Sequence, residues 1–191
     1  MERDRLTAFT DGVLAIIVTI MVLELKPPEG AGLAGLARLW PVFMSYVLSF
    51  VYIGIYWNNH HHFFQLVDKV DGAVLWANLH LLFWLSLIPF ATAWVGEHEG
   101  QTAPTALYGV SLLMPAIAWY LMQMVIVREQ GAGSPLREAL GRDLKGKLSP
   151  LFYLAGVGVS FVLPVLAYAI YAGVALMWLV PDRRVETRVQ G

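Results

Sequence analysis

Apolar runs separated by short polar stretches organise this chain. Four runs, residues 8–26, 39–60, 73–95 and 104–127, reach the roughly 20 residues that a helix needs to cross a bilayer. Pro-Pro, glycine-rich and charged linkers separate them. A fifth run, SPLFYLAGVGVSFVLPVLAYAIYAGVALMWLV from Ser149 to Val180, carries no charge and is too long for one ordinary span. Pro164 lacks the N–H that would continue a helix, so the pattern predicts two short helices hinged there. At about 15 residues each they would reach only about 22 Å, short enough to tilt little, thin the bilayer or pack within an oligomer. Between the fourth and fifth runs, residues 128–148 form the one sizeable polar loop, with an amphipathic helix expected around residues 135–145. The rest of that loop reads as a basic segment resting near anionic lipid.

Composition turns these runs into a class. Of 191 residues 58% are hydrophobic and only 14% charged, against about 25% charged in soluble domains, so the chain is expected to be an all-α integral membrane protein. Absence of cysteine removes disulfides, thiolate metal sites and a cysteine nucleophile. The start, MERDRLTAFTDG, carries both signs of charge and runs into a span with no small-residue cleavage site, unlike a signal peptide.

Charge then sets the number of spans. With six spans and both termini cytoplasmic, Arg3, Arg5, Lys69, Arg128, Arg137, Arg142, Lys145, Lys147, Arg183, Arg184 and Arg188 lie inside, and only Lys26 and Arg38 outside. Five spans would move Arg183, Arg184 and Arg188 outside, against the positive-inside rule. The expected organisation is a six-helix membrane domain, residues 1–181, with a short basic cytoplasmic tail, 182–191.

The first span has two faces. At 100° per residue Ile16, Ile20 and Leu23 share one narrow stripe, with Gly12 one turn below and Thr19 at its edge. Thr10 and Asp11 point to the other side. Such a stripe ordinarily faces lipid or core, and Thr10 and Asp11 could simply cap the helix start. An ionisable group near the hydrocarbon boundary nevertheless calls for a partner, and polar residues in later spans offer one. Asp11 is therefore expected to be buried against one or more of His60, His61, Asn78 and His80.

Three adjacent histidines raise the question of metal. Consecutive helical residues diverge by about 100°, so His60, His61 and His62 cannot converge on one ion; His60 with His80 and Asp11 could, but no HExxH or second histidine-rich motif accompanies them. No glycine-rich phosphate loop, GxSxG elbow or separated pair of buried carboxylates occurs either. Neither an enzyme nor a cofactor is expected.

Three stretches in order narrow the class further. Arg5, Phe9, Thr10, Asp11 and Gly12 spell R-x-x-x-F-[ST]-D-G; Trp57, His60 and His61 spell W-x-x-H-H near the end of the second span; Asn78 precedes Ser86, Leu87, Ile88, Pro89, Phe90 and Thr92 in the third. Together, over nearly the whole chain, they resemble the bacterial branch of the transmembrane protein 175 family, potassium-permeable channels whose two-repeat animal relatives sit in endosomes and lysosomes. The resemblance implies a homotetramer in a prokaryotic plasma membrane, with the first helices around a central pore and K+ as the permeant ion. It also implies a constriction at Ile16, Ile20 and Leu23, with the Thr19 hydroxyl beside them, in place of a carbonyl filter. Arg5, Phe9, Thr10, Asp11, Trp57, His60, His61, Asn78 and His80 would then anchor the helices. Thr10 stands where serine is usual and His62 where a basic residue is common. The wheel puts Phe9 on the stripe side, whereas a motif phenylalanine should pack, so the helix is expected to begin near it. Competing readings are a proton pathway or secondary transporter using Asp11 and the histidines, and a histidine-metal membrane enzyme.

Overall fold

A computed structural model describes residues 2–28, 32–67, 70–130 and 144–179, and every regular element among them is an α-helix. In chain order these are α1 (Arg3–Leu23), α2 (Leu33–Arg38), α3 (Trp40–Gln65), α4 (Gly72–Leu85), α5 (Ile88–Glu97), α6 (Thr102–Gln130), α7 (Leu144–Ser160) and α8 (Pro164–Leu179). Four rods are long and apolar enough to cross a membrane: α1, α3, the α4–α5 pair over Gly72–Glu97, and α6. The helix expected around residues 135–145 lies almost wholly outside the described residues, as does the basic tail 182–191.

Proline sets two of the breaks. Pro89 cannot donate to the carbonyl of Leu85, and at Ser86–Leu87 the rod tightens before α5 begins, with Leu87 N–H turning to Trp84 O (3.2 Å) and the Ser86 hydroxyl donating to Phe83 O (2.7 Å). Pro164 is the first residue of α8, where its missing N–H is one of the unbonded donors anyway. The fifth apolar run therefore falls in two helices of 17 and 16 residues, the first of which begins at Leu144, within the stretch expected to be loop; each is about 25 Å long and shorter than a hydrocarbon core of about 30 Å.

Ties between helix ends show how the rods alternate. Arg3 donates to the Gln65 carbonyl (3.3 Å), so α1 starts where α3 ends. Lys26 pairs with Glu97 (3.5 Å), so α1 ends where α5 ends. Lys145 donates to the Met177 carbonyl (3.1 Å) and Trp178 to the Ser149 hydroxyl (2.8 Å), so α7 starts where α8 ends.

Two apolar clusters fill the bundle. The first joins Leu6, Leu14, Ile17 and Met21 of α1 to Phe63 and Phe64 of α3, Leu81, Leu82 and Leu85 of α4, and Met122 and Ile126 of α6. The second gathers Tyr52, Val95, Tyr108, Tyr153 and Tyr171 around α6, α7 and α8. Within it the Tyr171 ring lies where a Cβ on Gly109 or Gly156 would be, so glycine at both positions lets α6 and α7 close on α8. Ser49 is the polar knot of the same region, bonded to the hydroxyls of Thr92 (2.7 Å) and Tyr108 (2.8 Å). Lipid offers no competing water, so such hydroxyls pair with one another.

Candidate functional site

The apolar and polar residues of α1 divide between a face that packs and a face that does not. Leu6, Thr10, Leu14, Ile17 and Met21 recur every three or four residues and are all buried. Ile16, Ile20 and Leu23 lie roughly a third of a turn away on the wheel and are 59%, 42% and 78% exposed. Thr19 is exposed beside them and its hydroxyl donates to Ile16 O (2.8 Å). An aliphatic stripe that burial within one chain leaves bare is thus carried on a helix whose neighbouring face is firmly held.

The hold is polar at its centre. Asn78 on α4 donates from Nδ2 to Thr10 Oγ1 (2.9 Å), and its Oδ1 lies 2.9 Å from His60 Nε2 on α3. An amide oxygen only accepts, so His60 is the donor and its Nε2 carries the proton. All three side chains are buried, and the His60 ring stacks on Phe64 with centroids 4.3 Å apart. One hydrogen-bonded chain therefore ties α1, α4 and α3 together.

Asp11 departs from the sequence expectation. It is exposed rather than buried against His60, His61, Asn78 or His80, and its carboxylate accepts from Trp57 Nε1 on α3 (3.1 Å). Neighbours on a helix diverge by about 100°, so only one of Thr10 and Asp11 can point into the core; Thr10 does, and Asp11 falls at its edge. His61 is exposed, bonds Gln65 on its own helix (3.0 Å) and stacks beside Trp57. His80 is also exposed and accepts from Trp84 on its own helix (2.9 Å). Consequently His60, His80 and Asp11 do not form the cluster a metal would need, and among the described residues no three or more His, Asp or Glu side chains do.

Two further motif residues sit differently from expectation. Helix α1 begins at Arg3, six residues before Phe9, so the helix is already regular at Phe9 and the ring lies 54% exposed on the Ile16 side. Arg5 is exposed, and it is Arg3 that reaches α3. Pairing of Trp57 with Asp11, and the Ser49 knot, were missed from sequence. Intramembrane polar residues such as Ser49, Thr92 and Gln123 are the signal that could have marked such networks, but a list of polar residues does not say which helix faces meet.

These features define a multi-pass, all-α membrane protein whose first helix is pinned along one face and bare along another. Residues 5–89 match the family described as "Endosomal/lysosomal potassium channel TMEM175". A potassium channel of Chryseobacterium sp. is 54% identical over 186 residues, covering 97% of each chain. Another, of Streptomyces collinus, is 33% identical over 98% of this chain and 96% of its own. The crystal structure of a lysosomal potassium-selective channel TMEM175 homolog from Chamaesiphon minutus superposes with a TM-score of 0.83 at 28% identity, covering 94% of this chain and 97% of that one. The chain belongs to the TMEM175 family, a family of channels and not of enzymes.

Proposed function

We propose that this protein is a potassium-selective, leak-type cation channel of a prokaryotic plasma membrane. In this reading six spans leave both termini cytoplasmic, and four copies surround one pore lined by α1. The observation that carries it is the exposed stripe of Ile16, Ile20 and Leu23 on a helix locked from behind by Thr10, Asn78 and His60. Charge supports the orientation, since Arg3, Arg5, Arg128, Lys145 and Lys147 fall at one end of the alternating rods and Lys26 and Arg38 at the other. The relatives named as potassium channels support the permeant ion.

Four copies of one aliphatic side chain around an axis make a constriction that resists wetting, and a conducting state needs it wide enough for a partly hydrated ion. Thr19 would place a hydroxyl oxygen next to that barrier. Asp11 and Trp57 hold α1 against α3 from the side, which makes the acid architectural.

Reconstitution into potassium-loaded vesicles tests this directly. Purified protein should release potassium without an ionophore, and Ile16→Asn or Leu23→Ala should change both the rate and the preference over sodium. Absence of flux from well-folded tetramers would overturn the channel reading. Flux that saturates, follows pH and disappears in Asp11→Asn would replace it with a transporter.

A further inference from the structure

At the end of the rods where α7 begins and α8 finishes, a cleft opens between α3, α6, α7 and α8, and no residue of α1 lines it. Its walls are aromatic: Tyr52, Tyr56, Trp119, Tyr153 and Trp178, with the Tyr56 ring edge-on to Trp119 at 6.2 Å. Its polar groups are few. Other buried tyrosines of the bundle have hydroxyl partners: Tyr52 donates to the Tyr171 carbonyl, Tyr171 to the Thr105 carbonyl (3.4 Å), and Tyr108 bonds Ser49. The Tyr56 hydroxyl has no such partner among the described residues. Asn59, three residues on, donates from Nδ2 to the Ile55 carbonyl (2.8 Å), so its Oδ1 is left over. Ser149 Oγ donates to Lys145 O (2.8 Å) and accepts from Trp178 Nε1 (2.8 Å), which leaves it one lone pair.

Size and charge narrow what the cleft can hold. Counted out to its mouth the space is about 420 Å³, but the centre of a water molecule reaches only about 30 Å³ of it. One water needs about 10–15 Å³ on that measure, whereas a cavity that admits benzene is about 150 Å³, so two waters fit and an aromatic ring does not. No described residue lining the cleft is charged, so an ion would enter with nothing to offset its desolvation. A donor on Tyr56 facing acceptors on Asn59 and Ser149 calls for a group that both accepts and donates, which a hydroxyl does. We propose that the cleft is a binding site for small neutral hydroxyl compounds: two waters occupy it in the resting protein, and a two-carbon alcohol displaces them, its oxygen between Tyr56 and Asn59 and its carbons on the ring walls. An apolar tail that displaces loosely held water against such walls gains affinity. The site is independent of whether α1 lines a pore.

Crystals and solution test this together, with 2-bromoethanol as the alcohol; the chain has no cysteine for it to alkylate. In crystals of the full chain two ordered waters should lie about 3 Å from Tyr56 Oη, Asn59 Oδ1 or Ser149 Oγ, and after a soak an anomalous bromine peak should replace them. In detergent micelles 2-bromoethanol should quench part of the tryptophan fluorescence along a saturating curve, through Trp119 and Trp178. Tyr56→Phe, which keeps the ring and removes the anchoring hydroxyl, should raise the half-saturating concentration severalfold. Ala116→Leu fills the cleft from α6 and should abolish the saturating part, with oligomer size unchanged in both variants; where Ala116→Leu fails to fold, Tyr56→Phe decides. A dry cleft, or a lipid or detergent tail inside it, overturns the proposal. So does a bromine peak accompanied by quenching that only rises linearly in micelles, which is binding at crystal concentration only, and so does saturating quenching that Tyr56→Phe leaves unchanged.

Discussion

Replacing Asn78 with leucine should destabilise the protein by more than the bonds it removes, because it strands a buried donor. Asn78 makes two interhelical hydrogen bonds, to Thr10 and to His60, each 2.9 Å long. Bonds between membrane helices average about 0.6 kcal/mol each, which gives about 1 kcal/mol for the pair. The two partners then fare differently. Thr10 can turn its hydroxyl to a carbonyl of its own helix, whereas the His60 ring is buried between Phe64 and Trp119, and Asn78 Oδ1 is the acceptor its Nε2–H would lose. An orphaned buried donor costs about 1–3 kcal/mol, so Asn78→Leu should lose about 2–4 kcal/mol in all. Adding His60→Phe keeps the ring stacked on Phe64 and removes the stranded N–H, so the double variant should recover about 1–3 kcal/mol of that loss. Reversible unfolding in mixed micelles, run on both single variants and the double, measures the coupling. Additivity within about 0.5 kcal/mol would refute the claim that Asn78 and His60 act as a pair, and with it the tautomer assigned to His60.

Other expectations follow from the same contacts. Asp11→Asn retains an acceptor for Trp57 Nε1 and should melt within a few degrees of the wild type, while Asp11→Ala and Trp57→Phe should each lose about 0.5–1.5 kcal/mol; equal losses in Asp11→Asn and Asp11→Ala with none in Trp57→Phe would mean that the charge, not the bond, matters. Gly109→Ala drives a Cβ into the Tyr171 ring and should lose about 1–3 kcal/mol by overpacking. Part of that loss should return in Gly109→Ala/Tyr171→Phe, where the nearest atom, the phenol oxygen, is gone; no recovery in thermal melts would count against the close approach of α6 and α8. Ser49→Ala breaks the links to Thr92 and Tyr108 and should lose about 1 kcal/mol with no change in ion selectivity, as read from reversal potentials in a potassium–sodium gradient.

Much of the architecture was legible along the chain. Span lengths, the hinge at Pro164 and the split faces of α1 depend on local periodicity and on one missing N–H, and these act over a few residues. The R-x-x-x-F-[ST]-D-G, W-x-x-H-H and Asn78 to Thr92 stretches pointed to the TMEM175 family for the same reason: short motifs survive in order. What failed was pairing. The wheel placed Thr10 and Asp11 in one patch, and only the packing of α1 against α4 showed that Thr10 takes the buried place and Asp11 the edge. His80 looked like a partner for Asp11 because it lies inside a span, yet it is exposed and bonded to Trp84 on its own helix.

Sequence by itself determined the long apolar helices, the break at Pro164 and which side of α1 is aliphatic, since hydropathy and backbone chemistry act over a few residues; the break before Pro89 and the short α2 came only from the structure. Tertiary structure alone decided that His60, Asn78 and Thr10 form one chain, that Trp57 serves Asp11, that Tyr171 fills the space left by two glycines, and that Phe9 stays bare. Each of these depends on the angle at which one rod meets the next, and that angle is set by the summed packing of residues far apart in the chain.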